Sequence, residues 1–356
     1  AALLCTAGTA RAQVPEFPQR VAAGDVGATY AVLWARSALP GTVTFRVDDD
    51  PAFATPIVRG ALVSDTTLPA KAAVRDLVPG TTYYYDVTSP AGTSDSGTFR
   101  TPRTTSTVDG LRFGVSGDAR GDVMPFGSVS NAPARDLDFF ANIGDTMYAD
   151  VASPALPGVN QALTLAEFRA KHAEVYSSFA GVNGLGDLRR SCALWVTIDD
   201  HEVTNDFAGG APPASDPRFD LTGAFINETN LYNNALRAFT EYNPLLRVGY
   251  GPSGDARTAF KRKLYRKQRY GGDATIFVLD ARSFRDQGLP AADPTNPGSI
   301  LKFLVSSFDP NRTMLGRAQV NELKADLLEA QQQGVEWKFV LVPEPMQNLG
   351  VVAASD

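Results

Sequence analysis

The sequence predicts a small all-β sandwich followed by an α/β domain of layered sheets flanked by helices. Three observations predict this. From Arg20 to Arg103 apolar and polar residues alternate with period two, between turns marked by Gly and Pro. The stretch "PRTTSTVDG", Pro102 to Gly110, breaks that pattern and reads as a linker. Beyond it, apolar runs of strand length alternate with amphipathic helical stretches. The 356 residues suffice for two domains, and a composition 44% hydrophobic and 20% charged can build a sizeable core. The expected division is 1–19 as a leader, 20–103 as an independent β module without a part in the chemistry, 104–110 as linker and 111–356 as the α/β domain.

The leader, "AALLCTAGTARAQ", resembles the back end of a secretory signal, with Ala10-Arg11-Ala12 as the cleavage site. A secreted or periplasmic protein is therefore expected. Its mature chain would keep Cys192 alone and no internal disulfide. Cys5 follows Leu4, which suits a lipoprotein signal poorly. No run of about 18 apolar residues predicts a membrane span. The net charge of −6 argues against a general nucleic-acid or anionic-membrane binder. The one basic run, "KRKLYRKQRY" (Lys261 to Tyr270), reads as a solvated face or as a phosphate-facing rim.

In the first region "ATYAVLWAR" and "GTVTFRVDD" read as strands, and "VRDLVPGTTYYYDVTS" places a Pro-Gly turn before another. In the second, "LRFGVSGD", "LDFFANIGD" and "CALWVTIDD" are buried-type runs ending at Asp118, Asp145 and Asp199-Asp200. "ATIFVLDARSFRD" and "WKFVLVPEP" are two more runs. "TLAEFRAKHAEVYSSFAG" and "GRAQVNELKADLLEAQQQG" read as helices, the second stopped at Gly334. In α/β sheets the ligand crevice lies outside the strand carboxyl ends, where these acids fall. Carboxylates gathered there repel one another unless a cation sits between them. Aspartate and tyrosine oxygens suit hard or borderline cations such as ferric iron, manganese, calcium and zinc. Each motif alone is weak; GD, then GDxxY with Tyr148, then DDHE with His201, each closing a strand, is the specific signal.

"SGDARGD", "NIGDTMY" and "TIDDHEVTND" resemble the motif series of the calcineurin-like metallophosphoesterases. The DDHE form is similar to the PhoD-like alkaline phosphatase and phosphodiesterase branch. "FTEYNPLLR", "YRKQRYGGDATIFVLDARSFRDQ" and "MLGRAQVNELKADLLEA" extend the likeness. The first region resembles the fibronectin type III or immunoglobulin-like module that precedes such domains. The resemblance implies two-metal hydrolysis of phosphate mono- or diesters. It makes Asp118 a ligand of the first metal, Asp145 a bridge, Tyr148 a ligand of ferric iron and Asp200 a ligand of a second metal (calcium, manganese or zinc). Asp199 would be a ligand or a group that orients one. His201 would contact the phosphate and protonate the leaving oxygen.

Departures accompany the likeness. Relatives often place a Cys ligand near the first strand end, where this chain has Gly117-Asp118. Arg120 stands where many place a His; it would clamp a phosphate oxygen or pair with Asp122. Asn205 is a late member of the site or a turn cap. Arg282 and Arg285 are members of the site or, the favoured reading, structural ion pairs; His172 reads as a surface residue in a polar stripe, and Cys192 as core. With two histidines in all and no late GDxH motif, the chain reads as a fragment lacking further ligands, one expected to be poorly active. The competing reading is a secreted binding or adhesion protein on a degenerate scaffold.

Overall fold

The computed structural model describes residues 15–344. Residues 1–14 of the leader, with Cys5, lie outside them; Phe17 and Gln19 from its end are buried against the fold. Seven strands come first: β1 (Val21–Gly24), β2 (Tyr30–Ala35), β3 (Gly41–Asp48), β4 (Ile57–Val63), β5 (Ala70–Arg75), β6 (Thr82–Thr88) and β7 (Ser94–Arg100). Alternation dictates their faces: in β3, Val43, Phe45 and Val47 are buried while Thr44 and Arg46 reach solvent. β4, β3, β6 and β7 form an antiparallel sheet in that order.

β1, β2 and β5 belong elsewhere. They continue, in the order β5-β2-β1-β10-β9-β8, into a six-stranded sheet with β8 (Phe113–Ser116), β9 (Phe139–Asn142) and β10 (Ala193–Val196). β1 runs parallel to β10, with Ala23 opposite Ala193 and Gly24 opposite Leu194. The sequence suggests an independent β module, yet the hydrogen-bonded sheet crosses the linker. Gly24 permits the junction: a Cβ there would lie 2.6 Å from Pro244 Cγ. Buried polar links reinforce it. Asp25 accepts from the Leu246 N–H at 2.7 Å and pairs with Arg266 at 3.1 Å, and the Trp34 indole donates to the Glu241 carbonyl at 2.8 Å.

β9 and β10 are buried on both faces, as strands between two layers must be. Phe139, Ala141, Ala193 and Trp195 point to one side. There they meet the first sheet and a third one, β11 (Arg266–Tyr270), β12 (Ala274–Val278) and β13 (Trp337–Leu341). Trp195 donates to the Tyr270 hydroxyl across that contact. Phe140, Leu194 and Val196 point to the other side, against the helices α1 (Leu165–Val175), α2 (Gly184–Arg189) and α3 (Asn230–Tyr242). Two further helices, α4 (Pro297–Ser307) and α5 (Arg317–Gln332), precede β13.

α1 starts at a capping box: the Thr164 hydroxyl accepts from the Glu167 N–H, and the Glu167 carboxylate accepts from the Thr164 N–H. His172 does not lie on a surface stripe. It is fully buried, with Phe239 and Tyr242 against its ring and neither ring nitrogen hydrogen-bonded. α1 is covered on more than one face, so Lys171 and Glu174 are buried beside it. Cys192 is core, as read. The basic run is mostly an ion-paired face: Lys263 pairs with Glu322, and Lys267 with Asp326 and Glu329 on α5.

Candidate metal centre

β8, β9 and β10 are parallel neighbours whose ends lie level: Ser116 and Val196 both stand opposite Asn142. Just past those ends come Asp118, then Asp145, then Asp199 and Asp200. Three separate runs thus deliver carboxylates to one sheet edge. The turns that do so are tight. Asp118 (φ 59°) and Asp145 (φ 51°) adopt the left-handed region, which aspartate tolerates better than most residues but at a cost. Gly144, at φ +108°, lets the β9 turn press on its neighbour, since a Cβ would stand 2.3 Å from the Asp199 nitrogen.

Glu202 holds the two turns together. Its carboxylate is wholly buried and accepts from the N–H groups of Asp145 (3.0 Å), Thr146 (2.7 Å) and Asp199 (2.9 Å). Burial and the nearby Asp145 push its proton affinity up, and the three N–H donors oppose them. The last member of DDHE therefore faces backbone.

Oxygen or nitrogen atoms of Asp145, Asp200 and His201 lie within 4.8 Å of one another. On the other flank of Asp145, the Tyr148 hydroxyl donates to Asp118 at 2.7 Å, and the Tyr148 ring stacks on His201 with centroids 3.9 Å apart. Asp145 is common to both groups. Burial, then the charges of Asp200 and Asp199, raise the Asp145 carboxyl above the ordinary range. Burial and the bond to Asp118 raise the Tyr148 phenol.

His201 Nδ1 bonds Asp150 at 2.7 Å, which leaves Nε2 as its other ring nitrogen. Asp150 is held in turn by the Asn205 N–H at 2.7 Å. Burial pulls the imidazole down, but the bond and charge of Asp150, aided by Asp145 and Asp200, lift it to about 9.

Asp199 turns away from the three-residue cluster. It pairs with Arg282 at 2.6 Å, and the same guanidinium reaches Asp200 at 3.5 Å and Glu344 at 2.6 Å. Burial, only partly offset by Arg282, sets Asp199 at about 6. Arg120 forms a two-point pair with Asp122. Asn205 is exposed and serves the site through its backbone, while its side-chain amide bonds Asp206.

The donor set fits cations. Carboxylate, phenol and imidazole groups converge, and the like charges that raise Asp145 are those a cation would neutralise. Asp118, Tyr148 and Asp145 would hold one ion; Asp145 and Asp200 would hold another, beside His201.

Two family models cover the chain: the PhoD-like phosphatase N-terminal domain over residues 4–103 and the PhoD-like phosphatase over residues 116–354. The chain belongs to the PhoD-like phosphatase family. Among PhoD-like proteins, alkaline phosphatase D of Bacillus subtilis (strain 168) is 26% identical over 326 residues, 85% of this chain and 52% of that protein. A solved structure of PhoD superposes with a TM-score of 0.72 at 22% identity, over 93% of this chain and 62% of the other. The chain thus spans about half the length of the curated relative, and the structural match supports the fold.

Sequence reasoning did not assign Asp150, Glu202 or the Arg282–Asp199 pair. Asp150 had a usable signal, five residues after Asp145 on the same turn. A histidine expected to donate a proton needs a carboxylate on its second nitrogen. Glu202 had none, because its partners are backbone N–H groups of two distant turns.

Proposed function

We propose that this chain is the catalytic part of a secreted, metal-dependent phosphatase or phosphodiesterase that hydrolyses phosphate esters. The observation that carries the reading is Asp145, shared by an Asp118–Tyr148 group and an Asp200–His201 group at three adjacent strand ends, with His201 backed by Asp150. Ferric iron held by Asp118, Tyr148 and Asp145, with calcium, manganese or zinc held by Asp145 and Asp200, is the pairing this donor set suits. When bound, the cations would neutralise phosphoryl charge and acidify a water.

The residues of the chain do the rest. Asp150 fixes the ring of His201 and keeps it protonated, so that Nε2–H can reach a phosphoryl oxygen and protonate the leaving oxygen. Asp199, anchored by Arg282, orients the DDHE turn. Arg120 reaches a phosphate by exchanging the two carboxylate oxygens of Asp122 for two phosphate oxygens. Secretion rests on the Ala10-Arg11-Ala12 pattern, outside the described residues.

The test is hydrolysis of aryl phosphate mono- and diesters by the full chain, loaded with iron and then calcium, manganese or zinc. Metal-dependent turnover, expected to be low with this ligand set, should fall by about 10²-fold or more in His201→Gln. Equal turnover in wild type, His201→Gln and Asp145→Asn would refute the reading.

A further inference from the structure

The basic run contains two residues that its ion-pair network leaves out, and only one of them lacks hydrogen bonds as well: Arg269 is held by the Gly271 and Gly272 carbonyls and by Gln333. Lys263, Arg266 and Lys267 each have a carboxylate partner, and Lys261 pairs with Glu228. Arg262 has neither an ion pair nor a side-chain hydrogen bond among the described residues, although it is half-buried. Burial lowers its proton affinity most; Tyr232 opposes that, the charge of Arg247 lowers it further, and Glu241 has the smallest, opposing influence. Arg247 is likewise unpaired among the described residues, and exposed. A half-buried guanidinium without an ion-pair partner, lining the same cavities as a second one, is unfavourable unless an anion neutralises both.

The space for an anion exists. Arg247 and Arg262 both line a cavity of about 610 Å³ and a second of about 680 Å³. In the second, the Lys71 ammonium reaches the Thr240 carbonyl, and burial brings it down to about 8. The carboxylate there, Glu241, is already shared by Arg169 and Arg237. Glu228, in the first cavity, is matched by Lys261. Positive charge therefore exceeds negative in both. None of the candidate metal-centre residues lines either cavity.

We propose that these joined cavities form a second anion site, separate from the metal centre, that takes a phosphate-class oxyanion on the Arg247 and Arg262 guanidiniums. The planar five-donor fork of arginine matches phosphate oxygens two at a time, and two such forks favour a ligand with several charged oxygens. The same chemistry is offered by free phosphate, by short oligophosphates and by a phosphodiester chain.

Calorimetric titration of the metal-free full chain at low salt with orthophosphate, triphosphate and a short phosphodiester oligomer separates these sources. Stripping the metal removes anion binding through cations, so the result stands whether or not the chain proves to be a phosphoesterase. Saturable binding of at least one of the three is expected. It should weaken on the order of tenfold in Arg247→Gln and in Arg262→Gln. Lys267→Gln, a loss of equal charge in the ion-paired part of the run, should bind within about threefold of wild type. Arg247 is exposed, so its variant reports even if Arg262→Gln misfolds. No saturable binding at millimolar anion, or undiminished binding in folded Arg247→Gln, overturns the proposal.

Discussion

Asp150 governs His201 more closely than any residue of the DDHE motif does. Its carboxylate bonds Nδ1 at 2.7 Å and supplies the largest upward influence on the imidazole. Asp150→Asn keeps the shape and removes the charge. We expect kcat for aryl phosphate hydrolysis to fall by roughly 10²-fold with little change in KM, because the lost interaction matters most as the proton moves. An unchanged kcat, or a loss confined to KM, would show that Asp150 serves only to hold the Asn205 turn. At this scale the sequence was legible where a residue's chemistry has few alternative uses. Asp118, Asp145, Tyr148, Asp200 and His201 do converge on one sheet edge. Asp199 and Arg282 were harder to read: a carboxylate facing a guanidinium and one facing a metal look alike until both elements are in place.

α1 tests how elements bury titratable groups. His172 is sealed between α1 and α3, and burial, with the charge of Arg189, pulls it down to about 3. In the unfolded chain the same imidazole takes its proton near 6.5. The folded value is the lower one, so the neutral ring costs nothing above about pH 6.5 and destabilises the fold progressively as pH falls from there toward 3. The loss approaches about 1.4 kcal/mol per pH unit. His172→Phe should abolish this component. Denaturant melts at pH 7 and pH 5 should show the variant gaining on wild type as pH falls; a constant difference would contradict the assignment. The helix itself was legible as an amphipathic stretch. Its buried polar face was not, because the pattern Lys171, His172, Glu174 reads as solvated unless the covering α3 is known. The five apolar runs of the α/β region all became strands; β9, β10 and β12 bury both faces, whereas β8 and β13 stand at sheet edges and stay partly exposed, so the buried-type reading of the run ending at Asp118 does not hold.

At the scale of the whole molecule, the chain is knit by the pairing of β1 with β10, which no sequence pattern announced. β1 is a four-residue strand whose register depends on Gly24 and on a partner about 170 residues away. Removing residues 1–103 would strip β10 of one of its two neighbours and uncover the face carrying Ala193 and Trp195. We expect the remaining 104–356 to be insoluble or non-cooperative, and the intact chain to melt in one transition followed alike by Trp fluorescence and circular dichroism. A soluble deletion product with native-like melting would show the two parts to be separable. The sheet continuity matters for function because β10 bears the DDHE turn. The central claim is that Asp145 is the shared donor of a metal centre at the ends of β8, β9 and β10. The most direct measurement is anomalous diffraction from crystals of the full chain soaked with manganese or iron, in wild type and Asp145→Asn. The account predicts an anomalous peak within coordination distance of Asp145 that is lost or much reduced in the variant. A peak elsewhere with none beside Asp145, or an equal peak in both proteins, would contradict it.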